Sequence, residues 1–376
     1  MNSREFSLSG PVAVYALTGQ GLRLALCLSG QLDARIYAAA SLESDQPPLF
    51  PGADPIWFRN LREQVRASFS SHSCHIFIGA TGIAVRTIAP LLQGKDADPA
   101  VLVVDQRGRH VISLLSGHLG GANALTRHVA DLLGATAVIT TATDVEGLPA
   151  LDELAREKGL AVGNLEAVKN ISASLLSGKT IFLHDPGDWL GLEDSEWAAL
   201  FSRGGERSAF AVDAPRAAAR LEVRVTVLAP PADPAERQRR LYLHPPLICA
   251  GVGCRKNTPA GAILEAISGA CAEQNIAPAA ISCLASIDAK RHEAGLAEAA
   301  DALKLPLLFF TAGELAMFPV SSPSPKAREI FGVEGVCESA ALAAAARGGG
   351  YSLLLGGKRI INGVTVALAA PWTAWS

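Results

Sequence analysis

The sequence lacks a long apolar segment and has few aromatic residues. No window of about 18 consecutive apolar residues occurs in the 376-residue chain, so no transmembrane helix is predicted. The opening residues, MNSREFSLSGPVAVYALTGQG, lack the apolar core of a secretion signal and predict a strand instead. Aromatic residues make up 6% of the chain, whereas alanine and glycine are plentiful, a mixture typical of layered α/β proteins.

Strong net charge and clustered cysteines are also absent. The formal net charge is -3 and no basic run occurs, which argues against a nucleic-acid partner. The seven cysteines are scattered and form no C-x-x-C pair. This usage favours a reduced, cytoplasmic protein in which each thiol packs as a small core residue.

Several familiar catalytic and cofactor-binding patterns are missing. His72 and His75 form the only close histidine pair, and no Glu or Cys follows at ligand spacing, so no protein-bound metal is predicted. No G-x-S-x-G occurs, which disfavours a serine hydrolase of that type. Gly251 and Gly253 form a G-x-G turn, but Lys256 stands where a dinucleotide fingerprint has its third glycine. A nucleotide-binding protein therefore remains only as an unfavoured alternative.

Apolar runs alternate with helical patterns along most of the chain. This alternation predicts an α/β fold: two layered α/β domains with mostly parallel sheets, joined by a smaller α/β middle domain. We place these domains at residues 1–145, 241–376 and 146–240, respectively. Proline-rich Ala229–Pro234 and the charged run through Arg240 predict a linker. Residues Ile56–Phe69 form one amphipathic segment.

The stretch LLSGHLGGAN (Leu114–Asn123) places a glycine-rich turn between an apolar strand and a helical pattern. A phosphate-binding loop would carry Lys-Ser or Lys-Thr here, and neither is present. A helix N-terminus with small residues suits a carboxylate or another anionic oxygen. A lone loop histidine is more often a structural hydrogen-bonding group than a catalyst, so both roles are open for His118.

Other loops follow predicted strands, where α/β folds place their ligands. They combine small residues, two aspartates and spaced cations, which favours a large ligand with several carboxylates over a polyphosphate. The aspartates have an ordinary alternative as turn residues, and the cations as solvated side chains. The residues concerned are Gly79, Thr81, Gly82, Arg86, Asp105, Asp144, Gly251, Gly253, Arg255, Lys290 and Lys358.

Several segments carry a family resemblance. In the first half these are FIGATGIAVRTIAP, the aspartate of VVDQRG, ISLLSGHLGGAN and TTATDVEGLPALDELA. In the last third they are AGVGCRKNTPAGAI, LASIDAKRHEAGL and the ending GKRIINGVTVALA. Together they resemble the CbiG proteins of cobalamin biosynthesis, whose C-terminal domain also occurs alone as CobE. The resemblance covers about residues 75–160 and 247–370.

The resemblance implies cobalt-precorrin-5A hydrolase activity. Such an enzyme opens the δ-lactone of a cobalt-containing contracted macrocycle and releases the C20 carbon, with its methyl group, as acetaldehyde. Cobalt would arrive with this tetrapyrrole-derived substrate, so no cofactor of the protein's own is expected. The alternative is a non-catalytic corrinoid-binding protein that passes intermediates to other enzymes of the cobalamin pathway. A homodimer is left open, and no membrane partner is expected.

The resemblance also directs the expected roles of individual residues. We expect His118 to be the acid or base, because histidine titrates near neutral pH. Asp105 or Asp144 would orient it or the water, and the backbone N–H groups of Gly120 and Gly121 would stabilise an oxyanion. The expected substrate-binding residues are Gly79, Thr81, Gly82, Arg86, Gly120, Gly121, Asn123, Gly251, Gly253, Arg255, Lys290, Glu293 and Lys358.

Overall fold

The computed structural model describes residues 10–45, 54–94, 97–118, 120–204 and 220–374. The chain divides into two compact units, residues 1–153 and 154–376. Within the described ranges, every helix is too short or too polar to cross a bilayer.

The first unit is built on a seven-stranded sheet. Its strands are β1 (Val12–Ala16), β2 (Ala34–Ala39), β3 (Ile56–Phe58), β4 (Cys74–Ile78), β5 (Ala100–Val104), β6 (His110–Leu115) and β7 (Thr136–Val138). Its helices are α1 (Gly19–Leu32), α2 (Leu61–Ser68), α3 (Thr81–Ile88), α4 (Ala122–Leu133) and α5 (Ala142–Val145), and α6 (Leu151–Glu157) begins in this unit.

The direction of the strands decides which loops meet in this sheet. The order is β3-β2-β1-β4-β5-β6-β7, and the first five strands are parallel to one another. Strand β6 is antiparallel to β5, and β7 is parallel to β6. The carboxyl ends of β6 and β7 therefore lie at the opposite edge of the sheet from those of β1, β4 and β5.

Helices cover both faces of this sheet. Leu22 of α1 and Leu125 of α4 belong to one buried apolar cluster, whereas Val65 of α2 and Ile88 of α3 belong to another. Burial on two faces explains why β1, β4 and β5 are buried at every position and, apart from His75 in β4, are apolar throughout rather than alternating.

The segment predicted as one amphipathic element, Ile56–Phe69, is two elements. It divides into edge strand β3 and helix α2 because Asn60 stands between them as the helix N-cap. The Asn60 side-chain oxygen accepts a hydrogen bond from the N–H of Arg62 at 3.0 Å. Such a cap satisfies a backbone donor that the first helical turn leaves unpaired.

The second unit contains two sheets, and the first of them has five strands. These are β8 (Ala161–Val162), β9 (Ile181–His184), β10 (Phe201–Arg203), β11 (Glu222–Val225) and β12 (Arg240–His244). The order is β10-β9-β11-β12-β8, and only the β12–β8 pairing is antiparallel among these strands. The accompanying helices are α7 (Glu166–Leu176) and α8 (Pro234–Arg239).

The predicted linker through Arg240 is wrong. Asp233 caps α8, with Pro234 at its first position, and Arg240 then begins β12, a strand inside the five-stranded sheet. The charge is buried, since the Arg240 Nε lies 3.0 Å from Oε2 of the fully buried Glu222. Arg224 meets the other oxygen of that carboxylate at 2.9 Å. The domain boundary expected at residue 240 therefore falls within a strand.

The second sheet of this unit has six strands. They are β13 (Ile248–Gly253), β14 (Ile281–Ile287), β15 (Leu307–Phe310), β16 (Ser352–Leu354), β17 (Arg359–Ile361) and β18 (Val364–Pro371). The order is β15-β14-β13-β18-β16, with β17 also paired to β18. Strands β13 to β15 are parallel, whereas β18 is antiparallel to β13, β16 and β17.

Helices lie on both faces of the six-stranded sheet. They are α9 (Ala260–Glu273), α10 (Ala294–Leu303), α11 (Ala312–Leu315), α12 (Pro325–Phe331) and α13 (Cys337–Ala345). Ile263 of α9 and Leu296 of α10 pack in one buried cluster, and Ala340 of α13 packs in another. The predicted layered α/β fold with mostly parallel strands is confirmed.

The cysteines are all free thiols, and five of the seven are buried. Cys27 is exposed and Cys254 is half-buried, so the expectation that every cysteine packs in the core is wrong for these two.

Candidate functional site

The loops after β6 and β7 bring His118 and Asp144 together. The two strands are parallel neighbours, so their carboxyl ends meet at one edge of the sheet. The His118 Nε2 lies 3.3 Å from the Asp144 Oδ2 and 3.2 Å from the Thr143 Oγ1. The side chains of His118 and Asp144 are 21% and 12% exposed. The pairing of His118 with Asp144 that the sequence suggested is present.

Asp144 is fixed by a buried hydrogen-bond network. The side-chain amide of Asn123, which is fully buried, donates to Asp144 Oδ2 and to Thr141 Oγ1, both at 3.0 Å. Ser113 Oγ donates to the Asn123 Oδ1 at 2.6 Å. Arg127 forms an ion pair with the other oxygen of Asp144. Asn123, predicted to bind substrate, therefore acts as a brace between the two loops.

Three further charged residues complete this cluster, and sequence reasoning missed them. Arg127 Nη1 lies 3.9 Å from the Glu153 Oε1, and the His118 Nδ1 lies 3.9 Å from the Asp152 Oδ1. Arg127 follows Asn123 by four residues, which places both on one face of α4. Asp152 and Glu153 stand in the first turn of α6, and that acidic pair was the available signal.

The glycines of the His118 loop serve the loop itself. A Cβ at Gly120 would lie 2.4 Å from the Ser116 Cβ, and one at Gly117 would lie 2.8 Å from the Asn123 Oδ1. The N–H of Gly121 donates to the His118 carbonyl at 2.8 Å, and that of Asn123 donates to the Gly117 carbonyl at 2.9 Å. Gly121 is thus not an oxyanion donor as predicted, and the role of Gly120 stays a prediction.

Asp105 lies at the other edge of the sheet, so the prediction that it orients His118 is wrong. It ends β5 and turns the chain into β6 as a hairpin, not into a helix. Its carboxylate accepts the N–H groups of Arg107 and Arg109 at 2.8 Å, and that of His110 as well. Asp105 stands four positions after Val101, the residue paired with Leu115, which is about 13 Å along the strand.

These hydrogen bonds also set the acidity of Asp105. Partial burial opposes ionisation, but the N–H donors of the hairpin outweigh it and hold the pKa of Asp105 below its usual value. The carboxylate is a turn-forming group, the alternative that the sequence left open.

The residues after β4 share that edge with Asp105. The N–H of Gly79 donates to the Val104 carbonyl at 2.9 Å, and Thr81 begins α3. Gly82 and Arg86 are exposed, with the guanidinium 3.5 Å from the place a Cβ would take on Gly82. The predicted substrate-binding residues of the first unit therefore lie at two separate edges, and those after β4 stay a prediction.

The C-terminal sheet carries a cavity of about 550 Å³, within the usual size range for small-molecule sites. Four predicted residues line it together: Gly253, Arg255, Lys290 and Lys358. The lining adds Lys256 and Lys326, which were not predicted to bind the ligand. Ile330, Phe331 and Val336 supply an apolar wall. A cavity with an apolar wall and five cations suits an amphipathic polycarboxylate.

A buried carboxylate holds two loops of this cavity. Glu338, fully buried on α13, accepts the N–H of Ser322 at 3.0 Å and that of Lys358 at 3.3 Å. The Lys358 Nζ donates to the Ser322 carbonyl at 2.6 Å, which ties the loops directly. Lys358 therefore shapes the cavity as well as lining it.

Glu293 supports the cavity from outside its lining. One oxygen accepts the N–H of Asn257 at 2.9 Å, and the other lies 3.1 Å from the Lys290 Nζ. The Asn257 N–H, and then Lys290, hold the pKa of Glu293 below its usual value. Both oxygens are engaged, so Glu293 positions Lys290 and the loop after β13, and its predicted contact with substrate remains untested.

The prediction of a G-x-G turn is wrong, because Gly251 and Gly253 lie in strand β13, and packing explains both glycines. A Cβ at Gly251 would lie 1.9 Å from the Cys337 carbonyl oxygen, because α13 crosses the sheet there. At Gly253 it would lie 2.5 Å from the Thr365 Oγ1. Gly251 is a buried contact between β13 and α13 and not the ligand-binding residue predicted, whereas Gly253 lines the cavity.

These features define an α/β protein of three sheets with a histidine–carboxylate cluster in one unit and a cation-lined cavity in the other. Among the residues with described placement, no cluster of three or more His, Cys, Asp or Glu side chains is arranged to hold a metal ion.

Comparison with known proteins identifies the family. Residues 63–144 match the family described as Cobalamin synthesis G N-terminal, residues 149–245 the Cobalamin biosynthesis central region, and residues 248–369 the Cobalamin synthesis G C-terminus. The chain belongs to the CbiG family.

Three curated relatives illustrate the match. The chain is 36% identical to the cobalt-precorrin-5A hydrolase of Salmonella typhimurium over 88% of its own length and 90% of that protein. It is 31% identical to the cobalt-precorrin-5A hydrolase of Priestia megaterium over 89% and 88% of the two chains. It is 32% identical to Protein CobE of a Sinorhizobium species over 33% of this chain and 79% of that one.

Proposed function

We propose that this chain is a cobalt-precorrin-5A hydrolase. It opens the δ-lactone of the cobalt-corrinoid intermediate and releases the C20 two-carbon unit as acetaldehyde, giving cobalt-precorrin-5B. The observation that carries the proposal is the 36% identity to the Salmonella typhimurium enzyme of that name, which spans 88% of this chain.

The proposed reaction has two balanced steps. Water forms a new bond to the lactone carbonyl carbon, the acyl–oxygen bond breaks, and the C20 oxygen receives a proton. The C20 hydroxyl then loses that proton, its oxygen becomes the aldehyde carbonyl, and the bond between C20 and the macrocycle breaks. The macrocycle keeps the electron pair and takes up the proton that the attacking water lost. One water is consumed and one acetaldehyde is released, through cleavage of a carbon–carbon bond.

His118 is the proposed acid or base for the proton at the C20 oxygen. Support comes from its position: the ring is partly exposed, so a substrate can reach it, and Asp144 and Thr143 hold its Nε2 side. Asp144 in turn is held by Asn123 and Arg127, which keeps the ring from rotating freely.

The cavity of the second unit is the proposed place for acetate and propionate arms. Arg255, Lys290 and Lys326 are charged donors that suit carboxylates, and the apolar wall suits the macrocycle edge. In this proposal cobalt is part of the substrate and needs no ligand from the chain.

The test supplies the purified chain, under anaerobic conditions, with cobalt-precorrin-5A. The proposal requires that the mass of the macrocycle changes by loss of the two-carbon unit with gain of water, and that acetaldehyde appears in equal amount. An unchanged macrocycle recovered from a protein that binds it tightly would refute the hydrolase assignment.

That outcome would favour a second candidate function, a non-catalytic corrinoid-binding protein. The observation favouring it is that the cation-lined cavity lies in residues 253–365, within the part of the chain that matches the C-terminal family domain. Protein CobE matches 33% of this chain over 79% of its own length, and the segments of this chain that resemble CobE are those of the C-terminal part.

A further inference from the structure

Asp152 presents a buried carboxylate oxygen to His118 without a hydrogen bond of its own. Its side chain is 5% exposed, and its Oδ1 has no hydrogen-bond partner among the described residues. A buried, unpaired carboxylate oxygen costs free energy that the fold would otherwise avoid. The His118 Nδ1 lies within ion-pair distance of this oxygen, 3.9 Å away.

His118 therefore stands between two carboxylates. Its Nε2 faces Asp144 and the Thr143 hydroxyl, and its Nδ1 faces Asp152. Arg127 forms an ion pair with one oxygen of Asp144 and lies 3.9 Å from Glu153. Among the described residues, no ion pair joins it to Asp152. Within the part of the chain that the structure describes, these are the ion pairs that join the ring and its partners.

The chemistry of the ring decides what this arrangement stabilises. A neutral imidazole has one N–H donor, whereas an ionised carboxylate only accepts. Two carboxylates on opposite nitrogens are both satisfied only when each nitrogen carries a proton. An imidazolium also removes the penalty of the unpaired Asp152 oxygen.

We infer that Asp152 is a positioning residue that, together with Asp144, holds His118 as an imidazolium, so that His118 enters the reaction as proton donor. This inference rests on the proposed function. His118 gives its proton to the C20 oxygen as the acyl–oxygen bond breaks. The neutral ring then takes the proton back from the C20 hydroxyl while the carbon–carbon bond breaks. One histidine thus serves both steps in a fixed order.

A test independent of substrate reads the protonation of the ring. The full chain is labelled with 15N-histidine, and His118 is assigned by the signal lost in His118→Gln. At pH 7 the wild-type ring should give the nitrogen shifts of the doubly protonated form. In Asp152→Asn the doubly protonated fraction should fall about two-fold or more, because one of two carboxylates is gone. Asp131→Asn, an exposed aspartate at the end of α4, is the matched control and should leave the signal unchanged.

A singly protonated ring in the wild-type chain at pH 7 would overturn the inference, even if Asp152→Asn failed to fold. An unchanged His118 signal in a folded Asp152→Asn would do the same. A loss in Asp152→Asn that Asp152→Glu reverses would support it.

The kinetic test separates this inference from the proposed function. If the chain releases acetaldehyde, Asp152→Asn should lower kcat by about ten-fold at pH 8 and by less at pH 6, with KM unchanged. Equal losses at both pH values would indicate a merely structural role and refute the inference. If the wild type released no acetaldehyde, the proposed function would fail, whereas the nitrogen signals would still decide the state of His118.

Discussion

At the scale of single residues, burial fixes the protonation state of His75, a second histidine of the first unit. His75 is fully buried in the first unit, and its Nε2 lies 3.1 Å from the Phe69 carbonyl, so that nitrogen carries the proton. The Tyr15 hydroxyl therefore donates to the Nδ1 at 2.9 Å. Loss of solvation lowers the pKa of His75 to about 4.

This lowered pKa predicts that the first unit loses stability in mild acid. The unfolded chain protonates His75 below pH about 6.5, whereas the folded chain does so only at about pH 4. The free energy of unfolding therefore decreases as the pH is lowered through this window. Between pH 7 and pH 5 the His75 contribution amounts to about 2 kcal/mol.

The measurement is the free energy of opening of β1 and β4 by amide hydrogen exchange at both pH values. His75→Gln should lose about that part of the pH dependence, whereas His292→Gln, an exposed control in the second unit, should keep it. Identical pH dependence in His75→Gln and the wild type would contradict the assignment.

The sequence revealed His118 and Asp144 but not the residues around them. His118 stands in the loop after β6, and Asp144 stands in the short helix α5 soon after β7, so each comes shortly after a strand, which is a local signal. Asp152 and Arg127 come from helices whose approach to the loop is a tertiary event. Asp105 looked equivalent to Asp144 because both follow apolar strands. Because β6 runs antiparallel to β5, Asp105 lies at the opposite edge of the sheet from His118 and Asp144. The direction of a strand in its sheet is not encoded in a local sequence pattern.

At the scale of elements, α13 can pack closely against β13 because Gly251 has no side chain. The backbone of α13 passes so close to Gly251 that a Cβ would lie 1.9 Å from the Cys337 carbonyl and 2.7 Å from the Ala341 nitrogen. Backbone atoms of a packed helix cannot give way as a flexible side chain would. The alanine-rich sequence of α13 fits this close approach.

Gly251→Ala should accordingly destabilise the second unit by about 3 kcal/mol or more, since α13 must shift from the sheet. Gly261→Ala is the matched control, because Gly261 lies in α9 and no atom stands within 4 Å of its would-be Cβ. The control should be neutral or stabilising by up to about 1 kcal/mol. Urea unfolding measures both, and equal midpoints for the two variants would refute the packing explanation.

Element prediction succeeded where pattern and burial agree and failed where charge is buried. The apolar strand and the helical pattern predicted on either side of the LLSGHLGGAN turn are β6 and α4. The run through Arg240 was predicted as an exposed linker since arginine is rarely buried. Its last residue, Arg240, is buried because Glu222, eighteen residues earlier, supplies the opposite charge on the neighbouring strand, whereas no residue of α8 is buried.

At the scale of the molecule, charge is distributed unevenly although its sum is small. The formal net charge is -3, yet five cations gather around one cavity in the second unit. The sequence placed these cations in separate loops and predicted a polycarboxylate ligand. It could not predict their convergence, because the strands and α12 that carry them meet only through long-range pairing.

This concentration predicts salt-dependent binding of polycarboxylates. Arg255→Gln and Lys326→Gln should each weaken the binding of a tetrapyrrole carboxylate such as uroporphyrin by about five-fold at low salt. The difference should shrink as ionic strength rises, because exposed charges are screened. Lys179→Gln, an exposed cation outside the cavity, is the control. Isothermal titration measures the three variants, and equal affinities would exclude the cavity as the carboxylate site.

The central claim is that His118 is the acid–base group of the hydrolase reaction. Single-turnover release of acetaldehyde tests it most directly. The wild type and His118→Ala are mixed anaerobically with cobalt-precorrin-5A, and acetaldehyde is quantified over time. Removal of a general acid–base group predicts a rate at least about 100-fold lower in the variant, with the macrocycle still bound. Release at the wild-type rate by a folded His118→Ala would contradict the account.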